Sequence, residues 1–341
     1  MITFGTIPST DPGNLFRLRD SIYASDLFIV AVAHLNFFSW LEKNPSDIKE
    51  ICSSLQIKER PADVMITLFK ALNLIEEKDN CFYLKTLAKE YLIDSSEFNL
   101  IPYISSLKER PICYDLLKIL KTGKPASWAA AKDEQEWALA MKENHFAEKF
   151  TAGMDSRGAY LAPALFEKID LLNYHSLLDI AGASGIYAAS AVYKNPFITA
   201  TVLEKPPVDK LAEYSINKRG MSNKIKVIAG DMFKEEFPKG FDVHLFSNVL
   251  HDWDSDKVEK LLENSYRNLN SGGQVLIYDA HINSDKNGPL EVAEYSVLLM
   301  FSTEGKCYSF SELKMIMEDI GFSDIRFIPM VANRSIIVGK K

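Results

Sequence analysis

Cysteine, positive charge and long apolar runs are all scarce in this sequence. Its 341 residues include four cysteines, Cys52, Cys81, Cys113 and Cys307. No two stand at CxxC or zinc-ligand spacing, so neither a disulfide framework nor a metal site is expected. Isolated thiols of this kind suit a reducing compartment. Lys and Arg number 39 against 46 Asp and Glu, a formal net charge of −7. That balance argues against nucleic acid or an anionic membrane as the main partner. The longest apolar stretch, around Leu27 to Leu41, is broken by His34, Asn36 and Ser39. It is too short and too polar for a membrane span. The first residues lack a basic region followed by an apolar one, so no secretory signal is expected and a cytoplasmic location is.

What the chain does have is an ordinary globular composition, 47% hydrophobic and 25% charged, and enough length for two domains. Its character changes near residue 158. Before that point the pattern is helical with short breaks. Asn14 to Trp40 reads as one helix, apolar almost all round (Phe28, Ile29, Val30, Val32, Leu35, Phe37, Phe38). A helix of that kind is buried, often against a partner chain. Further helices are predicted near Pro45 to Leu55 and Pro61 to Leu72, each with proline near its first turn. Leu74 to Leu84 reads as a hairpin turning at Asp79-Asn80. Helix, turn, helix and hairpin in that order suggest a winged helix. Such folds often bind DNA, yet the would-be recognition helix from Pro61 to Leu72 carries one lysine and one aspartate. A helix reading the major groove needs several polar and basic side chains. Dimerisation or structural support fits better than a metabolite-sensing DNA-binding regulator. From Ile101 to Gly158 more helix is expected, rich in Trp128, Trp137, Met141, Phe146, Phe150 and Met154. Those side chains suit core packing or the lining of a ligand pocket.

From Ser176 onward, strands alternate with amphipathic helices. Strands are predicted at Leu177–Ile180, Thr199–Leu203, Ile225–Ile228, Val243–Phe246 and Gln274–Tyr278, with a helix from Asp254 to Leu269. That alternation argues for an α/β, Rossmann-like, mostly parallel sheet. Ile325–Pro329 and Ser335–Val338 have no helix between them, so the sheet should end in an antiparallel hairpin.

Ligands of such sheets sit at the carboxyl ends of the strands. Four strand ends carry suggestive residues. The first is Asp179-Ile180-Ala181-Gly182-Ala183-Ser184-Gly185, whose small residues permit close backbone approach. It lacks the G-x-G-x-x-G of a dinucleotide site, which disfavours a nicotinamide dehydrogenase. The second is Glu204, placed to accept from a ribose diol. The third is Gly230-Asp231-Met232-Phe233, where Asp231 can accept from an exocyclic amine and Met232 can pack on a ring face. The fourth is Ser247-Asn248-Val249-Leu250-His251-Asp252-Trp253, with a histidine and a carboxylate just beyond the strand.

With these in order, the sequence resembles the small-molecule O-methyltransferases of the plant caffeate and bacterial polyketide type over nearly its whole length. Leu178 to Gly185 is similar to that family's LVDVGGGTG loop. Gly230 to Phe233 matches its GDMF, and Leu250-His251-Asp252-Trp253 resembles its (L/C)HDW. The resemblance implies S-adenosylmethionine as cofactor, with Asp179, Ala181, Gly182, Glu204, Asp231, Met232 and Ser247 around it. It implies His251 as general base, with Asp279 beside it. It further implies an acceptor pocket drawing on Phe150, Met154, Asn248, Tyr295 and Leu299, the last two on a helix from Pro289 to Ser302. Residues 1–100 would be a winged-helix-like dimerisation domain, 101–158 a helical linker contributing to the pocket, and 159–341 the catalytic domain. A homodimer acting on a small, aromatic or polyketide-like molecule is the expectation. Three departures stand out: two alanines in the glycine-rich loop, Ser247 in place of a lysine, and Cys307 where a second acidic residue often flanks the base. The last keeps open a reaction that uses the same cofactor without methyl transfer, such as hydroxylation or cyclisation.

Overall fold

The computed structural model describes residues 7–126 and 144–341. Within them the chain forms two compact units. One comprises residues 7–13, 144–280 and 312–341, the other residues 14–126 and 281–311.

The first unit is built on a seven-stranded sheet in the order β5-β4-β3-β6-β7-β9-β8. The strands are β3 (Ser176–Ile180), β4 (Thr199–Glu204), β5 (Ile225–Ala229), β6 (Phe241–Ser247), β7 (Leu269–Asp279), β8 (Ser323–Pro329) and β9 (Ser335–Lys340). β5, β4, β3, β6 and β7 pair in parallel, while β9 runs antiparallel to both β7 and β8. β3 leads outward to β4 and β5, and the chain then crosses back to lay β6 on its other side. The strand order therefore reverses between β3 and β6, where ligands of open α/β sheets bind. Leu177 to Ile180 and Val243 to Ser247 are buried without alternation, as strands covered on both faces must be. Helices Ile186–Lys194, Val208–Lys218 and Ser255–Asn268 make the crossovers. The last starts where Asp254 accepts from the Lys257 N–H at 2.9 Å, a side-chain N-cap. β7 begins five residues before the expected Gln274, because Asn270 near its start is held by Asp242 at 2.8 Å.

The second unit is mostly helical. The long helix expected from Asn14 to Trp40 is three helices: Gly13–Asp20, Ala24–Ala33 and Phe37–Lys43. Asn36 takes a left-handed conformation, φ 46°, which asparagine tolerates better than most residues. The break lets Phe37 and Phe38 turn onto Phe69, with ring centroids 5.6 and 5.0 Å away. Helix Ile48–Leu55 starts later than Pro45, because Asp47 caps it by accepting from Glu50 N–H at 2.9 Å. Ser46 instead receives the Phe82 N–H at 2.9 Å. Helix Glu59–Ala71 is followed by β1 (Ile75–Lys78) and β2 (Cys81–Leu84), which pair antiparallel. Asp79 and Asn80 both have positive φ, 51° and 62°, as a two-residue type I′ hairpin demands.

Two of the few charged side chains on helix Glu59–Ala71 are engaged inside this unit. Arg60 donates to the carbonyls of Gly123, Thr303 and Gly305 at 2.9, 3.2 and 2.7 Å. Asp63 accepts from Lys286 and Lys306 at 2.8 and 2.5 Å. These groups fasten the segment around helix Leu290–Ser302 and do not present a phosphate-binding face. Ile101–Ser105 and Pro111–Thr122 are further helices of this unit, while helix Asn144–Lys168 belongs to the first. Trp128, Trp137 and Met141, and the side chains of Phe146 and Phe150, lie outside the described residues. Among the described residues no single helix is long and apolar enough to cross a membrane.

Candidate active site

The rim of the first unit's sheet is best built one strand end at a time. After β3 the chain turns sharply, with Ala181, Ala183 and Gly185 all at positive φ: 53°, 48° and 70°. An L-residue with a Cβ in that region costs about 1–2 kcal/mol, so the two alanines are held there by their surroundings. Ala181 N–H donates to Leu203 O and Ala183 N–H to Glu204 Oε2, both at 2.8 Å. Gly182 lies over Asp179; a Cβ there would stand 2.5 Å from the Asp179 Cγ. Asp179 is fully buried and its Oδ2 accepts from the Ala188 N–H at 3.2 Å, in the first turn of the following helix. Burial pushes the Asp179 carboxyl up to about 7.

At the end of β4, Glu204 is fixed twice, by Ala183 N–H and by Lys205 N–H at 2.8 Å each. Burial pushes this carboxyl up to about 7 as well. Each oxygen keeps a lone pair for a further donor. After β5, Asp231 accepts from Phe233 N–H at 3.1 Å and lies 3.1 Å from Lys205 Nζ. Burial works to raise this carboxyl, but the Phe233 amide and the Lys205 ammonium outweigh it and hold it below the ordinary aspartate value. Met232, half-buried, follows directly.

β6 ends at Ser247, buried and in register with Tyr278 of β7. Asn248 is left-handed, φ 54°. Its N–H donates to Tyr278 O at 2.9 Å, and its Nδ2 to the Tyr187 hydroxyl at 3.3 Å. A single 3-10 turn, Leu250–Asp252, then presents His251. His251 and Asp279 are both buried, and Nδ1 stands 2.5 Å from Asp279 Oδ1, which also accepts the Ala280 N–H at 2.7 Å. A carboxylate on Nδ1 assigns the proton to that nitrogen and leaves Nε2 as the basic one. Nε2 lies 3.5 Å from Asp252 Oδ1. Burial alone would lower the imidazole pKa. The Asp279 and Asp252 carboxylates outweigh it and hold His251 above the ordinary histidine value, against an opposing push from Arg157.

Met154 is half-buried on helix Asn144–Lys168, its sulfur 3.3 Å from Arg157. Phe150 lies on the same helix, with its side chain outside the described residues. Tyr295 and Leu299 are buried on helix Leu290–Ser302 of the second unit, one turn apart on one face. Cys307, in the same unit, is buried with its N–H on Ser296 Oγ at 3.1 Å. The structure thus joins the β3 loop to Glu204 and His251 to Asp279, all within the first unit. Asp252, the carboxylate noted beside the histidine in the sequence, lies against Nε2. Lys205 is the residue that the sequence did not single out, and its place directly after Glu204 is the signal that could have found it. Among the described residues no three His, Cys, Asp or Glu side chains group as metal ligands.

The family model described as an O-methyltransferase domain matches residues 114–323. A curated relative, the 3-hydroxy-5-methyl-1-naphthoate 3-O-methyltransferase of Streptomyces sahachiroi, is 27% identical over 302 residues, 88% of this chain and 86% of that protein. The L-tyrosine C(3)-methyltransferase of Streptomyces lavendulae is 27% identical over 309 residues, covering 88% of this chain and 84% of its own. Among solved structures, an O-methyltransferase family 2 protein from Planctomyces limnophilus, in complex with apigenin, superimposes with a TM-score of 0.87 at 29% identity, covering 98% of both chains. With the sheet order, the rim and the matched segment in agreement, the chain belongs to the O-methyltransferase domain family.

Proposed function

We propose that this protein transfers the methyl group of S-adenosylmethionine to a hydroxyl of a small aromatic or polyketide-like molecule, with His251 as general base. The observation that carries this reading is the buried His251–Asp279 pair, 2.5 Å apart, on the same rim as the β3 loop and Glu204. The residues present suit the cofactor. Asp179 Oδ1 and Asn248 Oδ1 are buried acceptors without a hydrogen-bond partner among the described residues, and Glu204 and Asp231 are acceptors too. S-adenosylmethionine brings donors to match: an ammonium, a ribose diol and an adenine amine. Glu204 would take the diol and Asp231 the amine, with Met232 against the ring and Ala181, Gly182 and Ser247 lining the remainder.

The bound cofactor supplies a sulfonium methyl that is already activated. The chain's own work is to orient the acceptor and remove its proton. His251 Nε2 receives that proton, and the Asp279 carboxylate on Nδ1 stabilises the imidazolium that forms. Met154 and Asn248 would line the acceptor's side of this rim. The substrate class follows the naphthoate named for the Streptomyces sahachiroi enzyme and the flavone bound to the Planctomyces protein. The tyrosine C-methyltransferase relative favours a second reading, methylation of a ring carbon. A phenolate is nucleophilic at oxygen and at the adjacent carbons, so the same base serves both. Thermal denaturation tests the cofactor: S-adenosylmethionine is expected to raise the melting temperature and NAD to leave it unchanged. A rise with NAD alone would overturn the reading.

Residues 1–100 we assign to dimerisation, 101–158 to a linker lining the pocket and 159–341 to catalysis, in a cytoplasmic homodimer. Leu15 and Leu18, one turn apart on helix Gly13–Asp20, and Ile22 in the turn after it support the dimer, for they are 69%, 74% and 52% exposed, apolar surface that a second copy would cover. Light scattering should give twice the 38.5 kDa chain mass, and Leu18→Glu should shift it toward one. A wild-type mass of a single chain would remove the dimer.

A further inference from the structure

The two alanines of the β3 loop are where this sequence leaves the glycine-rich pattern it resembles, and the structure holds both in the left-handed region, φ 53° and 48°. Glycine enters that region freely and alanine does not. Strained backbone of this kind persists only where its surroundings over-determine it. The hydrogen bonds from Ala181 and Ala183 fix the near side of the loop. Its far side is fixed from two distant elements. Arg219, just after helix Val208–Lys218, donates through Nη1 to Ser184 O at 2.8 Å and through Nη2 to both oxygens of Asp155 at 2.6 Å. Asp155, on helix Asn144–Lys168, also receives the Ser184 hydroxyl. Ser184 is therefore gripped at its carbonyl and at its side chain by one ion pair. Ser184 is buried, and the Arg219 side chain is only 10% exposed, so the pair is partly shielded from solvent and worth more than an exposed one.

We infer that Asp155 and Arg219 are positioning residues for the cofactor, a clamp that holds the alanine-bearing loop in its binding conformation. This rests on the reading that the loop receives S-adenosylmethionine. Neither residue need touch the cofactor. They act through Ser184, keeping the loop amides and Glu204 in register. The clamp and the alanines belong together: a loop with glycine at 181 and 183 would depend on it less.

The test is calorimetric titration of the full-length protein with S-adenosylhomocysteine, alongside thermal denaturation. Asp155→Asn and Arg219→Met are each expected to raise Kd about tenfold, the loss typical of a charged hydrogen bond. The double variant should be little worse than either single one, because both break one contact. Arg219→Lys, which keeps the charge and loses the fork, should lose less and serves if Arg219→Met does not fold. The decisive variant is Ala183→Gly in the Asp155→Asn background. It should recover most of the lost affinity, while Ala183→Gly alone changes Kd little. Ala183→Gly also relieves strain worth about 1–2 kcal/mol, so the readout is Kd measured well below each variant's melting temperature, where a change in stability alone leaves affinity unaltered. Wild-type affinity in the clamp variants, or lost affinity that Ala183→Gly fails to restore, would overturn the inference and leave the cofactor reading intact. A wild-type protein that binds no S-adenosyl compound would overturn both.

Discussion

His251→Ala is expected to lower kcat by about 10²- to 10⁴-fold, the range that general-base catalysis contributes. Affinity for S-adenosylmethionine should stay within about twofold, because the groups assigned to the cofactor at β3, β4 and β5 are held by partners of their own, such as Ala188, Lys205 and Phe233. The two readouts separate the roles. A kcat loss with intact cofactor binding assigns His251 to the proton. Unchanged turnover would remove it as the base and turn attention to Asp252, whose Oδ1 lies 3.5 Å from Nε2.

Asp279→Asn is expected to be nearly as damaging and to leave a distinct mark on pH dependence. His251 acts only when neutral, so activity should fall as pH drops through its pKa. In the wild-type protein that limb should lie above the ordinary histidine value near 6.5, because the Asp279 and Asp252 carboxylates outweigh the lowering effect of burial. Removing the Asp279 charge leaves burial and the Arg157 charge with less opposition, so the limb should move to lower pH. The neutral amide also stabilises the imidazolium less and fixes the tautomer less firmly, for a kcat loss of about a hundredfold or more. A kcat/KM profile from pH 5 to 9 for the two proteins makes the comparison. An acid limb in the same place in both would mean that another group titrates.

Much of the catalytic unit was legible because buried parallel strands are short continuous apolar runs. Leu177–Ile180 and Val243–Phe246 stand out as mostly apolar runs broken by one polar residue each, Asp179 and His244, and a turn with a small or acidic residue ends each strand. The rim residues follow from those ends: Glu204 closes β4, Asp231 lies two residues beyond β5 and His251 four residues beyond β6. The break at Asn36 was not legible, since apolar residues continue through it on both sides and one left-handed asparagine leaves no periodic trace. Contacts distant in sequence were hidden for a similar reason. Asp155 and Arg219 are 64 residues apart, and Asp63 meets Lys306 across 243. Periodicity reports only which face of an element is covered. It does not name the covering residue, so the loop's two alanines were visible as a departure while their support was not.

The central claim is methyl transfer from S-adenosylmethionine to an acceptor activated by His251. The most direct measurement uses cofactor carrying a trideuterated methyl group, a panel of hydroxylated naphthoates and flavones, and mass spectrometry of both products. An acceptor is expected to gain the intact labelled methyl, with S-adenosylhomocysteine appearing in equal amount and the label falling away in His251→Ala. An acceptor converted without the label, or with the cofactor recovered unchanged, would contradict it.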